Sequence, residues 1–355
     1  MNFIIGGVPL KNKILFLVIT IITILNAHTN NLAYNHAPIG VMGDHMHSKG
    51  EIMFSYRFMN MLMKGNLNGE KRIGVTELSN LNYSSAGSTM LMKMHMLGMM
   101  YAPTNKITLM VMSNYIINDM EMEMLDIESH SGHNHSSNNM MQHSSSGFGD
   151  ASIVSLMQFY NNHNIKSHVT CGFSIPFGSI NKKSNHEMHH MSEDGDHMHE
   201  KSNLPYGMQL GSGSIDPIFG AILNYYNGNI VYGTQVLGKF RITKNENKYK
   251  LGNENHISAW LGYNFSKNIS LSTRYLYRNI GEINGQDEEI DSTMSPSGDV
   301  NNYGRNDSQI GFGVNYLHDS GHRLAIEYLL VPNQNVNGIQ MKLINNLIIG
   351  WQYSI

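Results

Sequence analysis

The chain has 355 residues, a net charge of -3, only 14% charged residues and a single cysteine. That balance excludes a disordered polyelectrolyte and leaves no basic footprint for nucleic acid. It also excludes an internal disulfide and a cysteine-built zinc site.

Lys11 and Lys13 precede the apolar run ILFLVITIITIL at 14–25. A basic start and about a dozen apolar residues describe a signal peptide, too short to span a bilayer. Residues 1–33 are therefore read as signal and cleavage region, with Ala27 and Ala33 as candidate cleavage positions. Residues 34–50 follow as a periplasmic Met/His-rich segment, and 51–355 as the main domain.

From residue 51 the pattern is that of strands. Candidate spans are 51–61, 90–102, 106–118, 150–161, 166–177, 214–226, 229–242, 256–265, 269–280, 308–317, 322–331 and 343–355. Strands of soluble proteins usually run about 5–6 residues, whereas tilted transmembrane strands need about 9–11. The connections alternate: long loops at 64–89, 119–149, 178–213 and 281–307 are separated by short turns such as 103–105, 162–165 and Asn227-Gly228. Short periplasmic turns and long outer loops are the habit of outer-membrane barrels. The fold class expected is all-β: an antiparallel transmembrane β-barrel of about 12 strands in the outer membrane, with long extracellular loops.

Period-two alternation assigns faces. Ile257, Leu261 and Tyr263 should meet lipid, and Ser258, Trp260 and Asn264 the lumen. Met53, Met59 and Met61 share a face with Arg57, which places them in the lumen, as do Met110 and Met112 beside Thr108 and Asn114. Met90–Met96 lie opposite Lys93 and His95 and are therefore expected on the lipid side, with Arg57, Lys93, His95, Arg274 and Arg278 lining the lumen. Tyr101, Tyr115, Tyr225, Tyr226, Trp351 and Tyr353 suit interfacial girdles.

The chain holds 27 Met and 19 His. Soft thioethers favour Cu(I), and imidazoles suit Cu(II), Zn and Ni. Candidate metal residues are Met42, Asp44, His45, Met46 and His47 ahead of the first strand, and Met59 and Met61 on it. Others are His130, His133, His135 and His143 in one long loop, and His186, His189, His190, His197 and His199 in the next. The bland alternatives are Met used in place of Leu and His in solvated loops. No Ser/His or Cys/His spacing, phosphate loop or dinucleotide fingerprint points to an enzyme.

The segments HAPIGVMGDHMHSKGEIMFSYRFMNM, MHMLGMMYAPTNKITLMVMSNY, SGFGDASI, FSIPFGSI, LPYGMQLGSGSIDPIFG and the terminal GWQY resemble a family of proteobacterial outer-membrane proteins. That family is described as transporters and is grouped with outer-membrane proteins of phenol-degradation meta-pathway clusters. The likeness covers nearly all of the chain after the signal. It implies a barrel of about twelve strands in outer-membrane lipid, inserted by the barrel-assembly machinery; some members sit near copper-handling genes. The terminal Ile355 departs from the aromatic usual at that position.

Three functions follow as expectations. The first is a passive channel or transporter with copper (Cu+ or Cu2+) or another soft ion as cargo or effector, and no required cofactor. The second is a transporter of aromatic or hydrophobic small molecules. The third is a non-conducting surface metal-binding barrel.

Overall fold

The computed structural model describes residues 36–125, 140–184 and 202–355. The signal region 1–33 and His130, His133, His135, His186, His189, His190, His197 and His199 lie outside the described residues.

The strands are β1 (Ile52–Gly69), β2 (Lys71–Ile73), β3 (Ser85–Thr104), β4 (Ile107–Met124), β5 (Met140–Phe148), β6 (Ala151–Asn161) and β7 (Ile165–Ile175). They continue with β8 (Asp216–Asn227), β9 (Ile230–Lys239), β10 (Glu254–Asn264), β11 (Ile269–Ile280), β12 (Arg305–Leu317) and β13 (His322–Ser354). Eleven of these elements close an antiparallel ring, in which β13 pairs back onto β1; β2 and β5 stand outside that path. Closure leaves no unpaired edge, as a lipid environment demands. At the seam, Ile52 and Ile355 exchange backbone hydrogen bonds of 3.0 and 2.8 Å, so the strand ending in Ile355 closes the ring without a terminal aromatic.

Two elements are composite. The first part of β13, Arg323–Val336, pairs with β12, and the remainder pairs with β1. Both pairings are antiparallel, so β13 folds back on itself at Asn337-Gly338, where Gly338 has φ +62°. The upper half of β4 pairs with β5 and its lower half with β6. β5 and β6 are thus one pass broken at Gly149-Asp150. Counted by passes, the wall is crossed about twelve times, as the loop alternation predicts.

Several strands are longer than expected. β1 runs to Gly69 rather than stopping at 61, and β4 runs to Met124 rather than 118. The sequence turns polar at Lys64, Asn66 and Asn68 because the lipid has ended there. The hydrogen-bonded ladder continues in the water above it.

The outer face is apolar. Leu97 is 62% exposed, Phe312 56% and Val236 54%. A band of this kind on a soluble protein would be an aggregation hazard; here it is the lipid contact. Among the described residues no helix is long and apolar enough to cross a membrane, so the crossing is made by strands. Tyr225 and Tyr232 stand together at the periplasmic rim, 6.3 Å apart, and His322 stacks on Tyr353 at 4.2 Å beside Trp351. Tyr226 departs from the expected girdle. It is buried facing inward, with the Lys166 ammonium 5.0 Å over its ring.

Above the barrel, the stretches 202–215, 240–253 and 281–304 fold into a cap. Tyr206, Tyr249 and Ile290 form its core, and Asp287 accepts hydrogen bonds from Asn203 (3.2 Å) and Asn247 (2.8 Å). From this cap Leu204 and Met208 reach down onto Met90, Met120 and Met122 of the wall.

Candidate functional site

A ring of this size leaves a lumen that wall side chains alone do not fill. Residues 36–47 enter it. Ile39 packs on Ala325, Leu329 and Ile348, while Ala37 and Val41 pack on Ile222 and Trp260. The segment 34–50, expected as a periplasmic tail, therefore lies inside the barrel over its described part and forms a plug.

The plug has no regular secondary structure, so its backbone groups need partners from elsewhere. The wall supplies them from all around the ring. Arg57 donates to the Ile39 carbonyl (3.0 Å), Arg323 to Ala37 (2.6 Å), Gln235 to Met42 (2.8 Å) and Asn224 to Asp44 (3.0 Å). His168 Nε2 donates to the Gly43 carbonyl at 2.8 Å. Glu327 accepts from the Gly40 amide (2.8 Å), and Thr108 from His47 (3.2 Å). Hydrogen bonds to charged groups are worth about 1.5–3 kcal/mol each, so the two arginines and Glu327 are the principal anchors. Glu327 is itself fully buried and paired with Arg274 at 2.7 Å.

The plug divides the lumen. On its periplasmic side a cavity of about 500 Å³ is bordered by His36, Asp44, His45, Met46, His47 and His168. Above it a cavity of about 410 Å³ is bordered by Gly40 and Met42 of the plug and by Met59, Met61, Met94, Met96, Met110 and Met112 of the wall. Arg57, Arg274, Arg278, Glu254 and His256 also reach this upper cavity, and among the described residues no Phe, Tyr or Trp does.

The methionines follow the register of β1, β3 and β4. Reading inward-facing rungs from the periplasmic end gives Met53–Met100–Met110, Ser55–Gly98–Met112, Arg57–Met96–Asn114, Met59–Met94–Ile116, Met61–Met92–Asn118 and Met63–Met90–Met120. Every rung carries a thioether. Successive rungs are two residues apart, about 6.7 Å along the strand. The series therefore extends about 30 Å, comparable with a hydrocarbon core. At its lower end Met46 of the plug packs on Met53, Met100 and Met110. At its upper end Met90, Met120, Met122 and Met208 gather with Met63, Met92, Met141 and Met341.

This corrects one expectation. Met90–Met96 face the lumen, and Lys93 and His95 face outward, where Lys93 lies 3.9 Å from Asp119 and Tyr56 bonds His95 at 2.8 Å. The register decides it: luminal Arg57 pairs with Met96, so every even-numbered neighbour on β3 turns inward with it. The outward residues of the same strands include Phe54, Leu97, Leu109 and Val111, and Met99 is the outward methionine among them. Segregation to one face argues against simple use of Met for Leu.

The expected cluster Met42–His47 divides by chemistry. Met42 turns to the upper cavity, and Met46 to the thioether rungs. Asp44 and His45 come together with His36, which composition and spacing do not single out: their ligating atoms all lie within 4.8 Å of one another. His45 Nδ1 is 2.9 Å from Asp44 Oδ1, and the His36 and His45 rings meet edge to face at 4.6 Å. His47 adjoins His45 at 4.8 Å, and Glu51 fixes its Nδ1 at 2.9 Å. Burial holds the His36 imidazole well below its usual pKa, with help from Arg323 and His45. Burial raises the Asp44 carboxyl, but His45, Arg323 and His36 outweigh it and keep the group ionised well below the usual carboxylate range. The neutral imidazole and the carboxylate are the states that ligate metals. Met59 and Met61 are luminal as expected, and Asn346 donates to the Met59 sulfur at 3.3 Å. His143 is buried on β5, paired in register with Met120 and 3.3 Å from Ser184 Oγ.

A closed antiparallel barrel with an apolar outer band and a plugged interior defines an outer-membrane β-barrel. No family model matches the chain, and no curated protein matches it in sequence. Among solved structures, it is similar to the COG4313 outer membrane channel from Pseudomonas putida F1. That alignment covers 89% of this chain and 99% of that one, with a TM-score of 0.58 and 10% identity. A Pseudomonas aeruginosa FadL homologue aligns over 86% of this chain and 90% of its own, at TM-score 0.42 and 5% identity. The TodX monoaromatic hydrocarbon channel aligns over 88% and 92%, at TM-score 0.43 and 10% identity. The first of these likenesses carries the fold: an outer-membrane barrel, consistent with the family resemblance of the sequence segments.

Proposed function

We propose that this chain is a passive outer-membrane channel whose cargo is a soft cation, Cu(I) or its mimic Ag(I). The observation that carries this reading is the thioether in each of six successive inward-facing rungs of β1, β3 and β4, from Met53 to Met63. Thioether sulfur ligates soft cations through polarisable lone pairs and leaves them exchangeable. A series of weak, equivalent sites at about 6.7 Å intervals lets an ion pass from one to the next, which conduction requires. Met42 and Met46 continue the series onto the plug. The plug separates the lower cavity from the upper one, so conduction needs it to shift.

The test is Ag(I) entry into liposomes holding the purified protein and a luminal silver indicator. Met92→Leu/Met94→Leu/Met96→Leu keeps volume and apolarity and should slow Ag(I) entry at least tenfold while sparing potassium conductance. Equal Ag(I) entry in both proteins would overturn the reading.

A channel for small apolar or aromatic compounds is the second reading. The upper cavity, about 410 Å³, is of small-molecule size, and flexible Met side chains adapt to varied apolar ligands. The absence of Phe, Tyr and Trp from its border and the presence of three arginines weigh against it. Uptake of a radiolabelled monoaromatic by the same liposomes, unaffected by the triple substitution, would favour it.

A further inference from the structure

We infer that the plug carries a separate binding site for a borderline divalent cation, Cu(II), Zn(II) or Ni(II), built by His36, Asp44 and His45 and facing the periplasmic cavity. It differs in chemistry from the thioether rungs and does not depend on what the channel conducts.

Three observations point to it. The ligating atoms of the three residues lie within 4.8 Å of one another. Metals of this class bind imidazole and carboxylate at about 2.0–2.2 Å, which sets neighbouring ligand atoms about 3 Å apart. Side-chain rotation therefore closes the site with the backbone in place. Second, His36 is 8% exposed, and its Nδ1 has no hydrogen-bond partner among the described residues. It lies 4.0 Å from Asp44 Oδ2, too far for a hydrogen bond. A buried imidazole nitrogen left without a partner is costly in a site that binds nothing. Third, the same holds for His47, 5% exposed, whose Nε2 is unpartnered while Glu51 orients its Nδ1 at 2.9 Å. An imidazole steered by a carboxylate through one nitrogen, with the other free, is the arrangement of metal-ligating histidines. His47 adjoins the site, its ring 4.8 Å from that of His45, but lies outside the three residues whose ligating atoms come together.

Local geometry brings the donors together. The Val41 amide bonds the Pro38 carbonyl at 2.9 Å, and Gly43 takes φ +63°, a left-handed value that favours glycine. These turns fold residue 36 back over 44–45. Asp44 Oδ2 accepts from the Ala37 amide at 2.9 Å and locks that fold. The opposing charge is Arg323, which donates to the Ala37 carbonyl at 2.6 Å. Its presence favours a site with an anionic ligand, as Asp44 provides, over one of imidazoles alone. The cavity of about 500 Å³ gives entry from the periplasmic mouth.

Trp260 packs on Ala37 and Val41, and Trp351 is the other tryptophan of the chain. In a Trp351→Phe background, fluorescence therefore reports on the plug. Titrating the full-length protein in detergent with Cu(II) should quench Trp260 in one saturating step. His36→Gln/His45→Gln should move the midpoint to at least tenfold higher Cu(II). Replacing His130, His133 and His135 by Gln should leave it in place. Should the double variant fail to fold, His36→Gln alone serves, with the same direction of shift. A midpoint unmoved by the plug substitutions, or moved equally by the loop substitutions, overturns the site. The Met92/Met94/Met96 variant should titrate as the parent does, which keeps this result separable from the silver experiment.

Discussion

Arg57 of the first strand donates its Nε to the carbonyl oxygen of Ile39 at 3.0 Å, across only eighteen positions of chain. The strand thus holds inside the barrel the segment that leads into it. Arg323, Glu327, Gln235, Asn224 and His168 repeat the contact from other parts of the wall. Lumen width, plug position and access to the methionine rungs are therefore set together.

Removing residues 36–47 should open the lower half of the lumen. Planar-bilayer recordings are expected to show single-channel conductance severalfold above that of the full chain. Conductance equal to that of the full chain would mean that the plug does not obstruct.

Glu327 is fully buried, pairs with Arg274 at 2.7 Å and accepts the Gly40 amide at 2.8 Å. Glu327→Ala leaves a buried guanidinium uncompensated, at a cost of about 3–5 kcal/mol. Urea unfolding from lipid vesicles, followed by tryptophan fluorescence, should show that loss. Glu327→Gln keeps an acceptor for Gly40 and should lose less.

Gly350 faces the plug from β13. A Cβ there would fall 2.5 Å from Ile39 Cγ1 and 2.7 Å from Cδ1. Gly350→Val should push the plug aside without touching the outer face. In a Cys171→Ser background, a cysteine placed by Val41→Cys is expected to react with a periplasmic thiol reagent faster when Gly350→Val is present. Unchanged labelling would show that the wall, not the plug, absorbs the added methyls.

Face assignment predicts ion selectivity. Lys239 borders the upper cavity, whereas Lys93 is directed outward against Asp119. Lys239→Glu places a carboxylate beside Glu254 in the upper cavity and should shift the reversal potential toward cations in a potassium chloride gradient. Lys93→Glu should leave it unchanged.

The barrel was legible because its signals are local. Period-two alternation, spans of about ten residues and the alternation of short turns with long loops each depend on near neighbours in the chain. Strand ends were less legible. β1 continues from 61 to Gly69 because β13 and, past Lys64, β2 are there to pair with it, which composition does not record. The lumen-facing side of β3 is not legible for a related reason. Its alternation offers two faces apolar enough for lipid, Met90–Met96 and Leu91–Leu97, and the charge of Lys93 and the imidazole of His95 favoured a luminal place for the leucine face. Only the pairing of Met96 with Arg57 decides which face turns inward.

The candidate site divides in the same way. Met42, Asp44, His45, Met46 and His47 stood out by composition, but His36 did not, since its part in the cluster depends on turns that fold 36 back over 44–45. By itself the sequence determined a closed antiparallel barrel of about twelve passes and a lead segment rich in metal-type donors. The tertiary structure decided that this segment lies inside the barrel, and that its thioethers and its imidazoles serve different surroundings. The physical reason is that residues 36–47 carry no periodicity of their own. Their course is set by the width of the ring and by wall side chains as distant in sequence as Arg323 and Glu327, which satisfy backbone groups the plug cannot pair by itself.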